Sequence, residues 1–227
     1  MILRISLVFS LIFLISCNGD KPNATLVSPF FYPIEDAPKV MVYRDTVQGM
    51  NQVYHKVYTI TDSRGEHLIV EIYTEEGRII EAYNYNTSDF ELMDHMVVNA
   101  QTKKEKTDLL KTGMFPVDNK QEAYFASRFP GFYDSTFILK EVRRKFSKNS
   151  VMDVLDFKNK KTIIFDDFIR QTMFNPFKKT ENVLEGQAKS YYVEGIGLAK
   201  WHDEKGKHVF VLEEILSEKD WINMINN

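Results

Sequence analysis

The sequence contains a single cysteine, Cys17, among its 227 residues, and this scarcity excludes a fold held together by disulfides. Exported domains that depend on disulfides use cysteines in pairs, and Cys17 has no partner within the chain. Proline and glycine are also scarce, with 7 and 10 residues, which excludes a low-complexity or disordered chain. The position of Cys17 in the chain must therefore indicate the role of its thiol.

An excess of basic residues is absent as well. The first sixteen residues contain Arg4 and no acid, so the rest of the chain has 28 lysines and arginines against 32 aspartates and glutamates. Binding to nucleic acid needs a basic stripe that follows the phosphate backbone. The balance of charge therefore predicts that nucleic acid is not a partner.

Residues 1–16 have the layout of a secretion signal. Arg4 gives a positive charge, and the apolar run over residues 7–15 follows it, interrupted only by Ser10. This run is shorter than the roughly 20 residues that a membrane span needs. It ends in the sequence Leu14, Ile15, Ser16, Cys17, which resembles the lipobox of bacterial lipoproteins. The other interpretation is an ordinary secretion signal with an accidental cysteine.

The resemblance to a lipobox implies that Cys17 is the lipid attachment site. It implies a diacylglyceryl group on the thiol, cleavage before Cys17 and an acyl chain such as palmitate on the new N-terminus. Two or three acyl chains give lasting attachment, whereas one holds only marginally. Asn18 rather than aspartate follows Cys17, which in enterobacterial sorting favours the outer membrane, with the periplasmic or surface-facing side left open.

The sequence thus predicts three parts: a lipoprotein signal peptide at 1–16, a lipid-anchored tether at 17–24 and a single β-rich domain at 25–227. Within this tether, residues 18–23 reach about 20 Å when extended, so the domain should lie close to the membrane. Aromatic residues make up 13% of the chain, and tyrosine and phenylalanine favour pleated sheets.

Alternating and β-branched segments predict an antiparallel sheet. Residues 53–60, 67–73 and 78–85, joined by turns at 62–65 and 75–77, form a meander. Further strands are predicted over residues 93–100, 104–111, 135–146, 162–168, 190–201 and 208–215. We expect a mainly β fold that follows an N-terminal signal helix, with the sheet curved into a half-barrel or sandwich.

Helix signals are few. Asn119 and Glu122 form a possible capping box before residues 123–126. Ser217 is placed to cap a short helix over 218–226, with Trp221 and Ile225 one turn apart on its apolar side. The apolar run at 163–173 fits a strand or a helix equally well.

Gly195 and Gly197 suggest a nucleotide-binding loop, but the pattern is incomplete. A dinucleotide fingerprint needs a third glycine where Lys200 stands, and no Gly-Lys-Ser/Thr of a P-loop is present. We therefore expect a strand whose glycines lie where another backbone or a large ring packs closely. No cofactor is predicted.

Titratable residues do not form a recognisable catalytic or metal-binding motif. His55 and His67 flank one predicted hairpin, and His202 and His208 flank another, yet no His-Glu-x-x-His motif or Gly-x-Ser-x-Gly elbow occurs. In each of the pairs Asp166/Asp167 and Glu213/Glu214, the two side chains point to opposite faces of a strand. They are therefore expected to be solvated. The prediction is no catalytic residue and no metal site. An enzyme would instead gather polar groups in one cleft, and the candidates are His55, His67, His202 and Asp203.

Two apolar clusters, at residues 30–33 and 173–177, either line a groove for an acyl chain or fill the core. The basic run Arg143, Arg144, Lys145 with Lys148 either contacts lipid headgroups or is an exposed strand end.

The segment 192–201 is similar to a strand that recurs in envelope lipoproteins of unknown function from Gram-negative bacteria. In both, an aromatic residue, Gly-x-Gly, an aliphatic residue and a lysine precede a closing hairpin. The resemblance implies a curved β sheet similar in outline to the periplasmic half-barrel carriers of lipoproteins and lipids, and hence a groove. The hypothesis is a non-enzymatic, membrane-anchored binding or accessory protein for a hydrophobic ligand or an envelope protein; the alternative is an envelope hydrolase acting on glycan or lipid.

Overall fold

The computed structural model describes residues 25–35, 37–49, 51–99, 102–131 and 136–226. The predicted signal peptide, Cys17 and the tether lie outside the described residues. Strands make up 65% of the described residues, so the mainly β fold that the sequence predicts is confirmed. The strands are β1 (Lys39–Asp45), β2 (Gln52–Asp62), β3 (Gly65–Tyr73), β4 (Ile79–Asn86), β5 (Leu92–Val98), β6 (Lys104–Lys106), β7 (Asp108–Thr112), β8 (Glu122–Pro130), β9 (Phe137–Val154), β10 (Phe157–Asn175), β11 (Thr180–Val193), β12 (Gly197–Asp203) and β13 (Val209–Ser217). A 3-10 turn, Ser28–Phe30, precedes them, and the helix α1, Glu218–Ile225, follows them.

The strands form one antiparallel sheet that is nearly closed into a barrel-like shape. Its order is β6-β5-β4-β3-β2-β1-β13-β12-β11-β10-β9-β8-β7. β6 and β7 lie at the two ends of this order but are separated in the chain only by Thr107. β6 pairs with β5 and β7 pairs with β8, so one short segment joins the two edges. Closure of this kind leaves few unpaired strand edges.

The two ends of the barrel differ, and we call them basal and apical. At the basal end, the amide of Gly195 in the β11–β12 turn donates to the carbonyl of Pro29, 3.2 Å away. The segment 25–35 therefore closes this end. Phe31 enters the interior, where its ring centroid lies 5.1 Å from Tyr85 and 4.7 Å from Phe90. Burial of this aromatic cluster gives the barrel an apolar floor.

The apical end carries a projecting arm. β10 and β11 have 19 and 14 residues, whereas β12 has seven. β12 pairs with residues 188–193 of β11 only, so residues 180–187 of β11 extend past the rim of the barrel. The tip of the arm is the turn after Asn175, where Phe177 is 81% exposed.

Helix α1 covers part of the outer wall. Val40 and Val42 of β1 point outward and are buried beneath Trp221, which also contacts Tyr54. The Ser217 hydroxyl accepts the amide of Asp220, so the cap predicted from the sequence is confirmed. Among the described residues, no helix has the length and apolar character that a bilayer crossing requires.

The meander of β2, β3 and β4 is confirmed, and so is the strand interpretation of 163–173, which lies within β10. The predicted helix over 123–126 is wrong. This segment is in β8, which pairs with β7 and β9 and buries the side chain of Phe125. Tertiary pairing overrides the local capping pattern, because only an extended chain can fill this place in the wall.

Four predicted strands also differ in their bounds. Residues 104–111 form two strands rather than one, since the chain changes partner at Thr107. Residues 190–201 belong to β11 and β12, which are separated by a turn at Gly195. β9 and β10 extend far beyond 135–146 and 162–168, and β1 is a strand that the sequence pattern does not predict.

Candidate functional site

A cavity of about 320 Å³ lies inside the barrel above the floor. This volume is at the lower end of the roughly 300–1,000 Å³ range of small-molecule sites. Its wall is mostly aliphatic and aromatic, with a few polar groups. The lining residues are Phe31, Tyr32, Val53, His55, Val70, Ile72, Tyr83, Tyr85, Met114, Lys140, Val142, Arg144, Asp167, Ile169, Ala188, Ser190, Tyr192, Leu198 and Trp201.

The cavity continues into a groove along the apical arm. Ile169, Ala188 and Trp201 line both spaces, and the groove adds a further volume of about 320 Å³. Leu184 lines the groove and is 72% exposed. Gln171, Glu185, Gln187, Asp203 and His208 also line the groove. Beside them, the apolar side chains of Leu184, Ile169 and Trp201 form a path from solvent at the arm to the buried floor.

Gly197 allows the floor to form. Its φ is +104°, and a Cβ there would lie 2.4 Å from Cδ1 of Tyr32. The chain therefore needs glycine at this position, because the ring of Tyr32 occupies the space of a side chain. The prediction that these glycines accommodate a large ring, rather than a nucleotide phosphate, is confirmed for Gly197.

Trp201 forms an aromatic stack at the boundary between the cavity and the groove. Its ring lies 4.7 Å from Phe210 and 5.6 Å from His55, nearly parallel to both. The Nδ1 atom of His55 is 2.9 Å from the hydroxyl of Tyr32. Burial lowers the pKa of His55 from 6.5 to about 3, so this imidazole is neutral at pH 7. His55 therefore behaves as an uncharged part of the wall.

A buried ion pair crosses the wall between β9 and β10. Arg144 Nε and Nη2 donate to the two carboxylate oxygens of Asp167, at 2.7 and 3.0 Å. Burial disfavours the charged guanidinium, but Asp167 raises the pKa of Arg144 above its ordinary value. The Ser190 hydroxyl also donates to Asp167. Both charges are thus satisfied within the protein and leave no net charge for a ligand.

A second polar chain connects Lys140, Glu81 and His95. Glu81 Oε1 accepts from Lys140 Nζ at 2.6 Å and from His95 Nε2 at 2.7 Å. Burial alone would raise the pKa of Glu81, but the charge of Lys140 and these hydrogen bonds lower it from 4.5 to about 2. The carboxylate is therefore ionised and fixes the proton of His95 on Nε2, which leaves Nδ1 to accept from Ser127, 2.9 Å away.

The order Ser127, His95, Glu81 has the residue types of a hydrolase triad. However, Ser127 and His95 are fully buried, and neither lines the cavity or the groove. A nucleophile must reach its substrate, and this hydroxyl does not. The chain therefore serves to satisfy buried polar atoms in the wall.

The four candidate residues for an enzymatic cleft are not brought together. His55 lines the cavity, whereas His202 faces Tyr191 on another surface, with Nε2 3.1 Å from the Tyr191 hydroxyl. His67 contacts Asn84 at 3.1 Å, and Asp203 accepts the amide of Lys207 in a turn. Among the described residues, no three His, Cys, Asp or Glu side chains form a group that could hold a metal ion.

Two interpretations of surface residues are wrong. Arg144 neither contacts lipid headgroups nor lies at an exposed strand end, and Asp167 is not solvated, because the two are partners inside the barrel. Their neighbours Arg143, Lys145 and Asp166 do face outward, because successive residues on a strand alternate between faces.

The two apolar clusters have different places. Phe31 and Tyr32 fill the core, as one interpretation of residues 30–33 predicts, and they also form the cavity floor. Phe174 packs on Phe137 in the arm, while Phe177 is exposed at the arm tip and lines neither the cavity nor the groove.

No family model and no curated protein matches the chain. Solved structures that resemble it include a candidate lipoprotein from Parabacteroides distasonis, with 13% identity and a TM-score of 0.47 over 83% of this chain and 99% of the other. Another is a candidate exported protein with a YmcC-like fold from Bacteroides fragilis, with 11% identity and a TM-score of 0.38 over 83% of this chain and 100% of the other. Neither description names an activity or a ligand.

Proposed function

We propose that this protein is a lipoprotein of the bacterial outer membrane, anchored through Cys17, which binds the hydrocarbon chain of a lipid inside its barrel. The lipobox resemblance supports the anchor. The observation that carries the binding role is the continuous apolar path from Leu184 on the arm, past Trp201, to the floor at Tyr32. A path of this shape suits a long, flexible, apolar ligand.

The state of the polar groups supports an apolar ligand. Arg144 is neutralised by Asp167, Lys140 by Glu81, and His55 is uncharged. A charged headgroup inside the cavity would lose its hydration without gaining a free partner of opposite charge. An acyl chain loses only contact with water, and each buried methylene contributes about 0.8 kcal/mol. We infer that the acyl chain enters the cavity and the headgroup stays at the groove.

The hydrolase alternative has less support. A hydrolase needs its nucleophile and its base at the surface that the substrate touches. Ser127 and His95 are fully buried, and His202 faces Tyr191 away from the groove. His208 lines the groove, but its Nδ1 lies 2.8 Å from Asp45 Oδ2, and no serine or cysteine among the described residues lines the groove beside it. Binding without chemistry therefore fits the geometry better.

Trp201 makes the proposal measurable, because the chain has only two tryptophans and the other, Trp221, lies outside the barrel on α1. A stearic acid brominated in mid-chain quenches tryptophan on contact. In the Trp221→Phe variant, titration with this acid should quench the emission of Trp201 to saturation. The matched control is Trp201→Phe, in which Trp221 should keep its emission.

Equal quenching of both tryptophans would indicate nonspecific association and contradict the proposal. No quenching of Trp201 at saturating ligand would contradict it too. Unbrominated stearic acid, which should displace the brominated acid and restore the emission, tests reversibility.

A further inference from the structure

The basal end carries a surface that the cavity does not use. β9 beyond Lys145 has no β8 neighbour, and β10 before Thr162 has no β11 neighbour. The two therefore form a two-stranded ribbon, which we call the basal ribbon and define as residues 148–161. Val154 at its end is buried in the main core, so the ribbon folds over the basal end and exposes only its other face. Val151 and Phe157 on it are 60% and 53% exposed. Exposed apolar side chains at the tip of a ribbon are available to a partner.

The charge of the basal ribbon is positive. It contains four lysines against two aspartates; the lysines are Lys148, Lys158, Lys160 and Lys161. Lys158 pairs with Asp153 and Lys161 with Glu194, whereas Lys160 has no ion-pair partner among the described residues. Lysines next to exposed apolar side chains match the border between anionic headgroups and acyl chains.

The described chain begins at this same end. Pro29 contacts the β11–β12 turn, and Pro33 and Glu35 line a second apolar pocket together with Phe157. Ile34, between them, is 47% exposed. Cys17 is eight residues before Thr25, so the extended tether reaches at most about 28 Å. A lipid on Cys17 therefore holds the basal end near the bilayer.

Composition alone does not distinguish the two ends. The apical tip has the same residue types, with Phe177 followed by Lys178 and Lys179. The 18 residues of β9 span about 60 Å, so the apical tip is much farther from the anchor than the tether can reach. The position of the anchor is what separates the ends.

We propose that the basal ribbon docks on the anionic surface of the membrane that holds the anchor, with Phe157 inserted among the lipids, so that the cavity opens away from this membrane. The inference rests on the lipid anchor of the proposed function, but not on occupancy of the cavity. Lys160 and Lys148 then contact the headgroups, and the arm extends toward the opposite side.

The test uses the mature, lipidated protein in vesicles of phosphatidylcholine and phosphatidylglycerol. Phe157→Cys and Phe177→Cys are each labelled with nitrobenzoxadiazole, a fluorophore sensitive to polarity; acylated Cys17 has no free thiol. At position 157 we expect blue-shifted emission and quenching by a lipid that carries a nitroxide. At position 177 we expect neither. The Lys148→Glu/Lys160→Glu pair should weaken the signal at 157, whereas Lys178→Glu/Lys179→Glu should not.

Quenching at 177 alone, at both positions equally or at neither would overturn the proposed orientation. The mass of the N-terminal peptide tests the anchor separately, and a peptide without lipid on Cys17 would overturn both the anchor and the orientation. If the brominated acid does not quench Trp201, only the proposed binding in the cavity is contradicted. Failure of the binding role can therefore be distinguished from failure of the anchor or of the orientation.

Discussion

Arg144 and Asp167 lie directly opposite each other on β9 and β10 and form a two-point ion pair inside the barrel. The guanidinium also lies 4.7 Å from the centre of the Phe115 ring. The pair thus connects the wall to the aromatic floor. Each charged side chain is stable in the interior only because the opposite charge is fixed beside it.

Removal of one member of this pair should be costly. Asp167→Ala leaves the buried guanidinium without its carboxylate, and a loss of about 3–5 kcal/mol of unfolding free energy is expected. The double variant Arg144→Met/Asp167→Leu should regain most of this loss, because it removes both charges and keeps the volume. Urea denaturation measures both. A single variant as stable as the wild type would contradict the assignment of the pair.

The pH dependence of stability should report on His55. Its pKa is about 3 in the folded protein and 6.5 in the unfolded chain. Between pH 6.5 and 4.5 only the unfolded chain binds this proton, so stability falls as the pH falls, by about 1.4 kcal/mol per unit from this group. His55→Gln should have a correspondingly flatter profile, measured as unfolding free energy at several pH values.

The matched control is His202→Gln, because His202 lies outside the cavity. This variant keeps His55, so its unfolding free energy should still fall with pH by the contribution of His55. Identical slopes for the wild type and His55→Gln between pH 6.5 and 4.5 would show that His55 is not a buried neutral imidazole.

Helix α1 should stabilise the wall through one side chain and one cap. Trp221 is 5% exposed and contacts Tyr54 and Tyr73, so Trp221→Ala should cost about 3–5 kcal/mol. Ser217→Ala removes the cap and should cost about 1 kcal/mol. Thermal or urea unfolding followed by circular dichroism measures the difference. Equal costs would mean that the helix does not bury Trp221 against the sheet.

Occupancy of the cavity should depend on Ala188, which lines both the cavity and the groove. Ala188→Phe narrows the path between them and should reduce or abolish quenching of Trp201 by the brominated acid. Val183→Phe, on the same strand but lining neither space, is the control and should bind as the wild type does. Unchanged binding by Ala188→Phe would place the ligand elsewhere.

Local patterns predicted much of the sheet. The β2–β3 and β3–β4 hairpins follow from alternation and from turns at Gly65 and Gly77, which need only neighbouring residues. The same kind of local pattern led to an error at Asn119 and Glu122, because pairing of β8 with β7 and β9 decides that segment. Closure through Thr107 depends on register over the whole sheet, and no local signal specifies it.

The candidate site was predictable only in part. The sequence left residues 30–33 open between a groove and the core, and it separated Asp166 from Asp167 by the alternation of strand faces. It did not pair Arg144 with Asp167, since the apolar residues within 147–161 do not alternate with polar ones and so do not indicate a continuous hairpin. A two-residue turn at Leu155 and Asp156 is the signal that would have placed the two opposite each other.

The most direct test of the binding role is native mass spectrometry of the mature protein purified from the cell envelope, together with identification of the lipids that it releases. We expect a complex with one acyl lipid for the wild type and an empty protein for Ala188→Phe. A wild-type protein that is folded and carries no lipid, or an Ala188→Phe variant that carries as much as the wild type, would contradict it.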